Sequence, residues 1–119
     1  MYIRVQHLCG RGFFLNVDCK LLDSGKITIG DHVFIAPNVC IITEKHAMDV
    51  KQRLEEFEYA RPVTIGDNVW ICAGALILPG VTIGANSIIG AGSVVTKDIP
   101  ENSLAVGNPC NVSRNISQK

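Results

Sequence analysis

The sequence predicts an all-β protein, a left-handed parallel β-helix, and the main observation is a repeat of six residues. Apolar side chains stand six places apart over the second half of the chain: Ile65, Ile71, Ile77, Ile83, Ile89 and Val95. Small or β-branched residues follow four places after the isoleucines: Val69, Ala75, Val81, Ser87 and Ser93. A period of six fits neither an α-helix nor a simple alternating strand, and it is the signature of hexapeptide repeats that form a β-helix.

Each hexad is expected to form a short strand followed by a tight turn. Three hexads then complete one triangular coil, and successive coils stack at roughly the 4.8 Å spacing of neighbouring strands. The isoleucines point into the prism, where each contributes roughly 1.5–3 kcal/mol on burial. The residue four places on is small because the corner leaves little room, and Gly and Asn tolerate the positive φ of such corners.

The repeat also divides the chain into segments. An earlier run contains Ile29, Ile35 and Ile41. We therefore expect one β-helix domain over residues 1–119, with its repeat core at about 15–42 and 63–96 and a C-terminal extension at 97–119. Residues 43–62 carry many charges and no hexad, which predicts a protruding loop with a short helix within residues 48–57; long loops in compact domains are usually functional.

The two ends of the chain are predicted from weaker patterns. Residues 2–5 alternate as a strand does. Residues 96–100 are expected to leave the β-helix, and the polar residues 111–119 are expected to be exposed or frayed.

Composition excludes several classes of function. The chain has 11 basic and 11 acidic residues, so it offers no electrostatic basis for binding nucleic acid or an anionic membrane. No apolar run approaches the roughly 18 residues of a membrane span, and the N-terminus lacks the apolar region of a signal peptide. Five cysteines without a Cys-x-x-Cys pair indicate reduced thiols and a cytoplasmic location.

Several motifs are more specific than the hexads. They are Asn16-Val17-Asp18, Ala36-Pro37-Asn38-Val39, the loop segment 43–46 with its histidine, Pro79-Gly80-Val81-Thr82 and Gly107-Asn108-Pro109. Over about residues 12–114 the chain resembles the hexapeptide-repeat acetyltransferases, specifically the maltose and galactoside O-acetyltransferases. The resemblance implies a homotrimer with active sites between neighbouring subunits. It also implies direct acetyl transfer from acetyl-coenzyme A to a hydroxyl of a sugar-like acceptor, without a metal.

His46 occupies the loop position of the family's catalytic histidine. Histidine changes charge near neutral pH, so a neutral imidazole can take the proton of the attacking hydroxyl. The family usually has Pro after this histidine, and here the residue is Ala47. Glu58 is expected either to orient His46, as in catalytic triads, or to form a salt bridge with Arg53 or Arg61.

By the same resemblance, Asn16 and Asp23 bind the acceptor, although both residue types also suit tight corners. The backbone N–H of Ala73 is expected to stabilise the tetrahedral oxyanion. Further residues match positions that contact coenzyme A: Trp70, Ala73, Ala91, Thr96, Lys97 and Arg114. Trp70 is equally explained as a partly buried aromatic residue, and Asn111 stands where the family commonly has Arg or Lys.

Two alternatives to a transferase remain open at this stage. The first is a non-catalytic or truncated trimeric scaffold, which the substitutions at Ala47 and Asn111 favour. The second is a zinc enzyme of the γ-carbonic anhydrase type, which shares the fold but requires three zinc-binding histidines. His7, His32 and His46 lack the paired spacing of such a site.

Overall fold

The computed structural model describes residues 8–55 and 58–116, and the side chains of Leu8 and Glu58 are outside this description. The strand expected at residues 2–5 therefore lies outside the described residues. The strands of the repeat core are β1 (Leu8–Cys9), β2 (Phe14–Leu15), β3 (Lys20–Leu22), β4 (Ile27–Ile29), β5 (Phe34–Ile35) and β6 (Cys40–Ile42). An excursion follows, with β7 (Glu44–His46), α1 (Val50–Leu54) and β8 (Glu58–Ala60). The chain continues through β9 (Val63–Ile65), β10 (Trp70–Ile71), β11 (Leu76–Ile77), β12 (Thr82–Ile83), β13 (Ile88–Ile89), β14 (Val94–Val95), β15 (Ser103–Gly107) and β16 (Cys110–Asn115).

Successive strands of the core belong to three different parallel sheets. The first face contains β1, β4, β9 and β12; the second contains β2, β5, β10, β13 and β15; and the third contains β3, β6, β11 and β14. Three consecutive strands thus complete one coil, and each strand pairs with the strand one coil away, as in Ile71 opposite Ile35 and Ile89. This is the parallel β-helix that the hexads predict.

The predicted apolar positions form the interior of the prism. The five isoleucines and Val95 are each at most 1% exposed, and the small residues four places on are also buried. Two of these are serines with satisfied hydroxyl groups. Ser87 donates to the Pro100 carbonyl at 2.9 Å, and Ser93 accepts the N–H of Gly107 at 3.1 Å. The serines therefore attach the C-terminal segment to the last coil.

The corner between the first and second faces uses asparagine. Asn68, Asn86 and Asn102 have φ of 58°, 65° and 58°, a conformation that Asn tolerates better than most residues. Asn68 donates its amide to Asn86 at 3.1 Å, and Asn86 donates to Asn102 at 2.9 Å. His32 adopts the same positive φ in this corner and is exposed, as the sequence suggests.

The described part of the excursion at residues 43–62 contains a two-stranded hairpin. β7 pairs antiparallel with β8, and α1, capped by Asp49, falls within the range expected for a helix. The hairpin leaves the coil after the third face and returns on the first, so it protrudes from the corner between them.

The C-terminal segment differs from the sequence-based expectation. Ile99 is buried and bridges to Ile83 on the first face, so the chain does not leave the coil there. Residues 111–115 are exposed, as expected, but they are not frayed, because β16 pairs antiparallel with β15. No helix among residues 8–55 and 58–116 is long and apolar enough to cross a membrane.

Candidate functional site

His46 ends strand β7 and is exposed on the hairpin. It borders a cavity of about 240 Å³ whose other lining residues come from the hairpin and the start of α1: Lys45, Ala47, Met48, Asp49, Gln52, Tyr59 and Arg61. The antiparallel register places His46 opposite Glu58. The side chain of Glu58 lies outside the described residues, so its expected contact with His46 stays a prediction.

The base of the hairpin is fastened to the coil by Thr43. Its buried hydroxyl donates to the Leu22 carbonyl at 2.7 Å and accepts the N–H of Gly25 at 2.8 Å. The Arg61 N–H donates to the Thr43 carbonyl at 2.9 Å, which ties the returning chain to the same point. The position of His46 is therefore coupled to the core through a buried polar contact rather than through a flexible linker.

Ala47, which stands in place of the family's proline, is only 5% exposed. The guanidinium of Arg53 donates to the carbonyls of Ala47 and Met48 at 3.4 and 3.3 Å. These bonds hold the turn after His46 from the helix side. Arg53 thus constrains a turn that proline would otherwise restrict through its fixed φ.

The corner that bears the hairpin, between the third and first faces, is here called the hairpin edge. Asp23 follows β3 at this edge and is fully buried. Thr96 and Lys97 follow β14 at the same edge, two coils above the hairpin base. Both are exposed, and the Lys97 ammonium donates to the side-chain oxygen of Asn111 at 2.7 Å.

The corner between the second and third faces, here called the aromatic edge, collects a different set. Asn16 follows β2, and Ala73 and Ala91 follow β10 and β13 at equivalent places. Both alanines are exposed. Among the described residues, neither the N–H of Ala73 nor the N–H of Ala91 donates a backbone hydrogen bond.

An aromatic surface lies beside this edge on the second face. Phe14, Phe34 and Trp70 stand in register on three successive coils and are 56%, 55% and 49% exposed. The two phenylalanine rings meet edge to face, with 6.3 Å between centroids. Together with Asn16 and Ala36 they line a cavity of about 450 Å³.

The predicted site residues therefore fall into two groups in one chain. Asp23, His46, Thr96 and Lys97 lie at the hairpin edge, whereas Asn16, Trp70, Ala73 and Ala91 lie at or beside the aromatic edge. Arg114 is exposed on β16, opposite Leu104 of β15. The third face separates the two edges, so one copy of the chain does not bring the whole predicted site together.

The described residues contain no group of three or more His, Cys, Asp or Glu side chains able to hold a metal ion. His7 lies outside the described residues. His32 and His46 lie at different corners of the prism, which gives the zinc-site alternative no geometric support from this pair.

Known proteins share both the sequence and the coil. The family model of the bacterial transferase hexapeptide (six repeats) matches residues 62–97. A maltose O-acetyltransferase from Clostridium difficile superposes with a TM-score of 0.94 at 55% identity, over 96% of this chain and 61% of that chain. A hexapeptide-repeat containing acetyltransferase from Vibrio cholerae superposes with a TM-score of 0.89 at 35% identity, over 97% of this chain and 70% of that chain. The galactoside O-acetyltransferase of Escherichia coli is 49% identical over 110 residues, which are 92% of this chain and 53% of that protein.

The chain belongs to the hexapeptide-repeat acetyltransferases. Membership in this family and the three parallel faces confirm the predicted left-handed β-helix. The chain spans about half the length of the curated relatives it matches.

Two features of the chain are not predicted by the sequence analysis. Phe14 and Phe34 extend the aromatic surface of Trp70, and a signal was present, because each precedes an inward residue of the repeat as Trp70 precedes Ile71. Arg61 lines the His46 cavity, whereas the sequence suggests it only as an ion-pair partner for Glu58.

Proposed function

We propose that this chain is the catalytic β-helix of an acetyl-coenzyme A-dependent O-acetyltransferase that acts on a hydroxyl of a sugar or sugar-like acceptor. The observation that carries the proposal is an exposed histidine, His46, bordering a cavity on a hairpin fastened to the core. Relatives support the chemistry. They include proteins named maltose and galactoside O-acetyltransferases, and the Vibrio cholerae protein was also solved in complex with acetyl-coenzyme A.

In the proposed reaction His46 acts as general base. Its imidazole takes the proton of the acceptor hydroxyl as that oxygen attacks the thioester carbonyl. The N–H of Ala73 donates to the oxyanion that develops. When the tetrahedral state collapses, the C–S bond breaks and the departing thiolate receives the proton held by His46.

Direct transfer is favoured over an acyl-enzyme by the protonation of the thiol next to Ala73 in the sequence. Cys72 precedes Ala73, and burial raises the pKa of the Cys72 thiol above its ordinary value. A raised pKa lowers the thiolate fraction near neutral pH, and the thiolate is the nucleophile. Cys72 is therefore poorly suited to carry the acetyl group.

The active assembly in this proposal is a homotrimer with each site between two copies. One copy supplies His46 and Lys97 from its hairpin edge, and its neighbour supplies Asn16 and Ala73 from its aromatic edge. The separation of these edges in one chain supports a shared site. An apolar surface containing two phenylalanines and a tryptophan that are about half exposed is also of the kind that interfaces cover.

Acceptor and cofactor recognition follow from this arrangement. Asn16 faces the acceptor. Asp23 is fully buried, so in this proposal it supports the acceptor site from the coil below the hairpin and does not touch the acceptor itself. The small side chain of Ala91 lets the pantetheine arm approach the coil. Thr96, Lys97 and Arg114 contact the coenzyme near its phosphates. Trp70 lies beside the coenzyme. Free thiols on the chain fit the reducing cytoplasm.

The test is acceptor-stimulated release of the coenzyme A thiol from acetyl-coenzyme A over a panel of sugars. We expect at least one acceptor to accelerate thiol release, and we expect the acetyl ester of that acceptor to be detected as the product. Failure of the protein to bind acetyl-coenzyme A would instead favour the non-catalytic scaffold.

A further inference from the structure

The cavity beside His46 is lined by two basic side chains. Lys45 stands opposite Tyr59 in the hairpin register, and Arg61 follows Tyr59 by two residues. Side chains alternate across a strand, so these three share one face of the hairpin. All three line the same cavity of about 240 Å³, which also reaches His46.

Arg61 is attached to the coil through its backbone, and its stem lies near Gly80. Its backbone N–H donates to the Thr43 carbonyl at 2.9 Å. A Cβ added at Gly80 would lie 3.5 Å from the Arg61 Cδ and 3.6 Å from its Cβ, so the glycine leaves room beside the Arg61 stem.

Two described carboxylates lie near these bases, and one of them, Asp49, also lines the cavity. Asp49 accepts the N–H of Gln52 at 2.9 Å as the cap of α1, and Glu44 accepts the hydroxyl of Ser24. Among the described side chains the only ion pair joins Arg11 to Asp31, at another corner. Among the described side chains that line the cavity, Lys45 and Arg61 therefore carry two positive charges against the single negative charge of Asp49.

We propose that the acceptor is an anionic saccharide whose carboxylate or phosphate is bound by Arg61 and Lys45 in this cavity. The inference rests on the proposed transferase function and narrows its substrate class. The planar guanidinium of arginine matches a carboxylate or phosphate with two parallel hydrogen bonds. Tyr59 and Gln52 supply neutral donors and acceptors for the remaining hydroxyls. An anion anchored here brings a hydroxyl of the same sugar toward His46.

The test compares neutral and anionic acceptors that keep the same free hydroxyls apart from the substituted anomeric one, such as methyl galactoside and galactose 1-phosphate, at saturating acetyl-coenzyme A. We expect kcat/KM to be about tenfold higher or more for a charged acceptor than for the neutral one, which is the effect of one charge-assisted hydrogen bond. The kcat/KM of the charged acceptor should also fall as the salt concentration rises, because salt screens the attraction. Arg61→Gln and Lys45→Gln should remove the preference through KM. Lys51→Gln is the matched control, because Lys51 is exposed on α1 outside the cavity.

Two results would overturn the anion site. One is a preference for the neutral acceptor in the wild type. The other is an Arg61→Gln variant that loses activity equally with charged and neutral acceptors, since that reports a structural role. Arg61→Lys, which keeps the charge and the stem, should retain part of the preference if Arg61→Gln folds poorly.

A binding measurement separates this inference from the proposed reaction. Galacturonate and inorganic phosphate are titrated into the protein without acetyl-coenzyme A, and amide shifts are followed by NMR. Saturable shifts at residues 45 and 61 that vanish in Arg61→Gln support the anion site even if no acceptor stimulates thiol release, in which case the transferase proposal alone fails. Absence of such shifts in the wild type contradicts the anion site itself.

Discussion

The side-chain oxygen of Asn111 accepts a hydrogen bond from the Lys97 ammonium, with 2.7 Å between the two atoms. The amide of Asn111 in turn donates to the Pro109 carbonyl at 3.1 Å, so the contact is fixed from the C-terminal turn. Asn111 stands at a position where the resemblance leads us to expect Arg or Lys, and here it holds the Lys97 ammonium by a hydrogen bond instead.

Lys97→Ala is therefore expected to raise the KM for acetyl-coenzyme A about tenfold, because a charged hydrogen bond to phosphate is lost, with kcat little changed. Asn111→Ala should raise the same KM by a smaller factor, since the lysine keeps its charge and loses only its orientation. Steady-state kinetics with varied acetyl-coenzyme A measure both. Equal KM values in wild type and Lys97→Ala would remove Lys97 from the coenzyme site.

Cys72→Ser should keep kcat within a few-fold of the wild type. The thiol pKa is raised by burial, so the wild-type thiolate is scarce near neutral pH and no acetyl group is expected to pass through it. Intact-mass spectrometry after mixing with acetyl-coenzyme A alone provides a second readout. Two results together would replace direct transfer by an acyl-enzyme route. The wild type would carry an acetyl group that Cys72→Ser lacks, and Cys72→Ser would be inactive.

Two inactive variants should restore activity when mixed, if each site takes one edge from each of two copies. His46→Ala removes the base from the hairpin edge, and Asn16→Ala removes a predicted acceptor contact from the aromatic edge. In randomly mixed closed oligomers about a quarter of the sites would combine an intact hairpin edge with an intact aromatic edge. Co-expression followed by the thiol-release assay measures the recovery. Activity no higher than that of the separate variants would mean that each chain builds its site alone.

Acid should weaken the corner at Asp31. The N–H and guanidinium of Arg11 donate to this carboxylate, and these bonds hold the pKa of Asp31 below its usual value. A carboxyl whose pKa is lowered by folding stabilises the folded state above its unfolded pKa of about 3.9. That contribution is lost as the pH falls through the folded value.

The matched variant is Asp31→Asn, measured by thermal unfolding at neutral and acid pH. The difference in melting temperature between wild type and variant should be present at pH 7 and shrink well below pH 4. A difference that stays constant over this range would show that the Asp31 charge plays no part.

Sequence reasoning reached the fold because the inward residues repeat at a period that only a β-helix explains. Ile65 to Ile89 are buried as that period requires. The hairpin strands were not predicted, since Glu44, Lys45 and Glu58 carry charge rather than an alternating apolar pattern. Strand β16 was missed for the same reason: its residues after Cys110 are exposed, and its order comes from pairing with β15.

The site was predicted residue by residue but not as an arrangement. No sequence pattern states which corner of the prism a turn residue reaches, and that decides whether His46 and Asn16 can meet within one chain. The Lys97–Asn111 contact depends likewise on how β16 folds back toward β14. Phe14 and Phe34 were recoverable, because they occupy the same place in their hexads as Trp70.

The most direct test of the account is thiol release from acetyl-coenzyme A by wild type and His46→Ala with an acceptor that the wild type uses. His32→Asn is the control, because His32 is an exposed histidine at a remote corner, where Asn already forms the neighbouring turns. A loss of roughly 10²–10⁴-fold in kcat for His46→Ala, as expected for a missing general base, with His32→Asn unchanged and both variants folded, supports His46 in that role. A His46→Ala variant with wild-type turnover would contradict it.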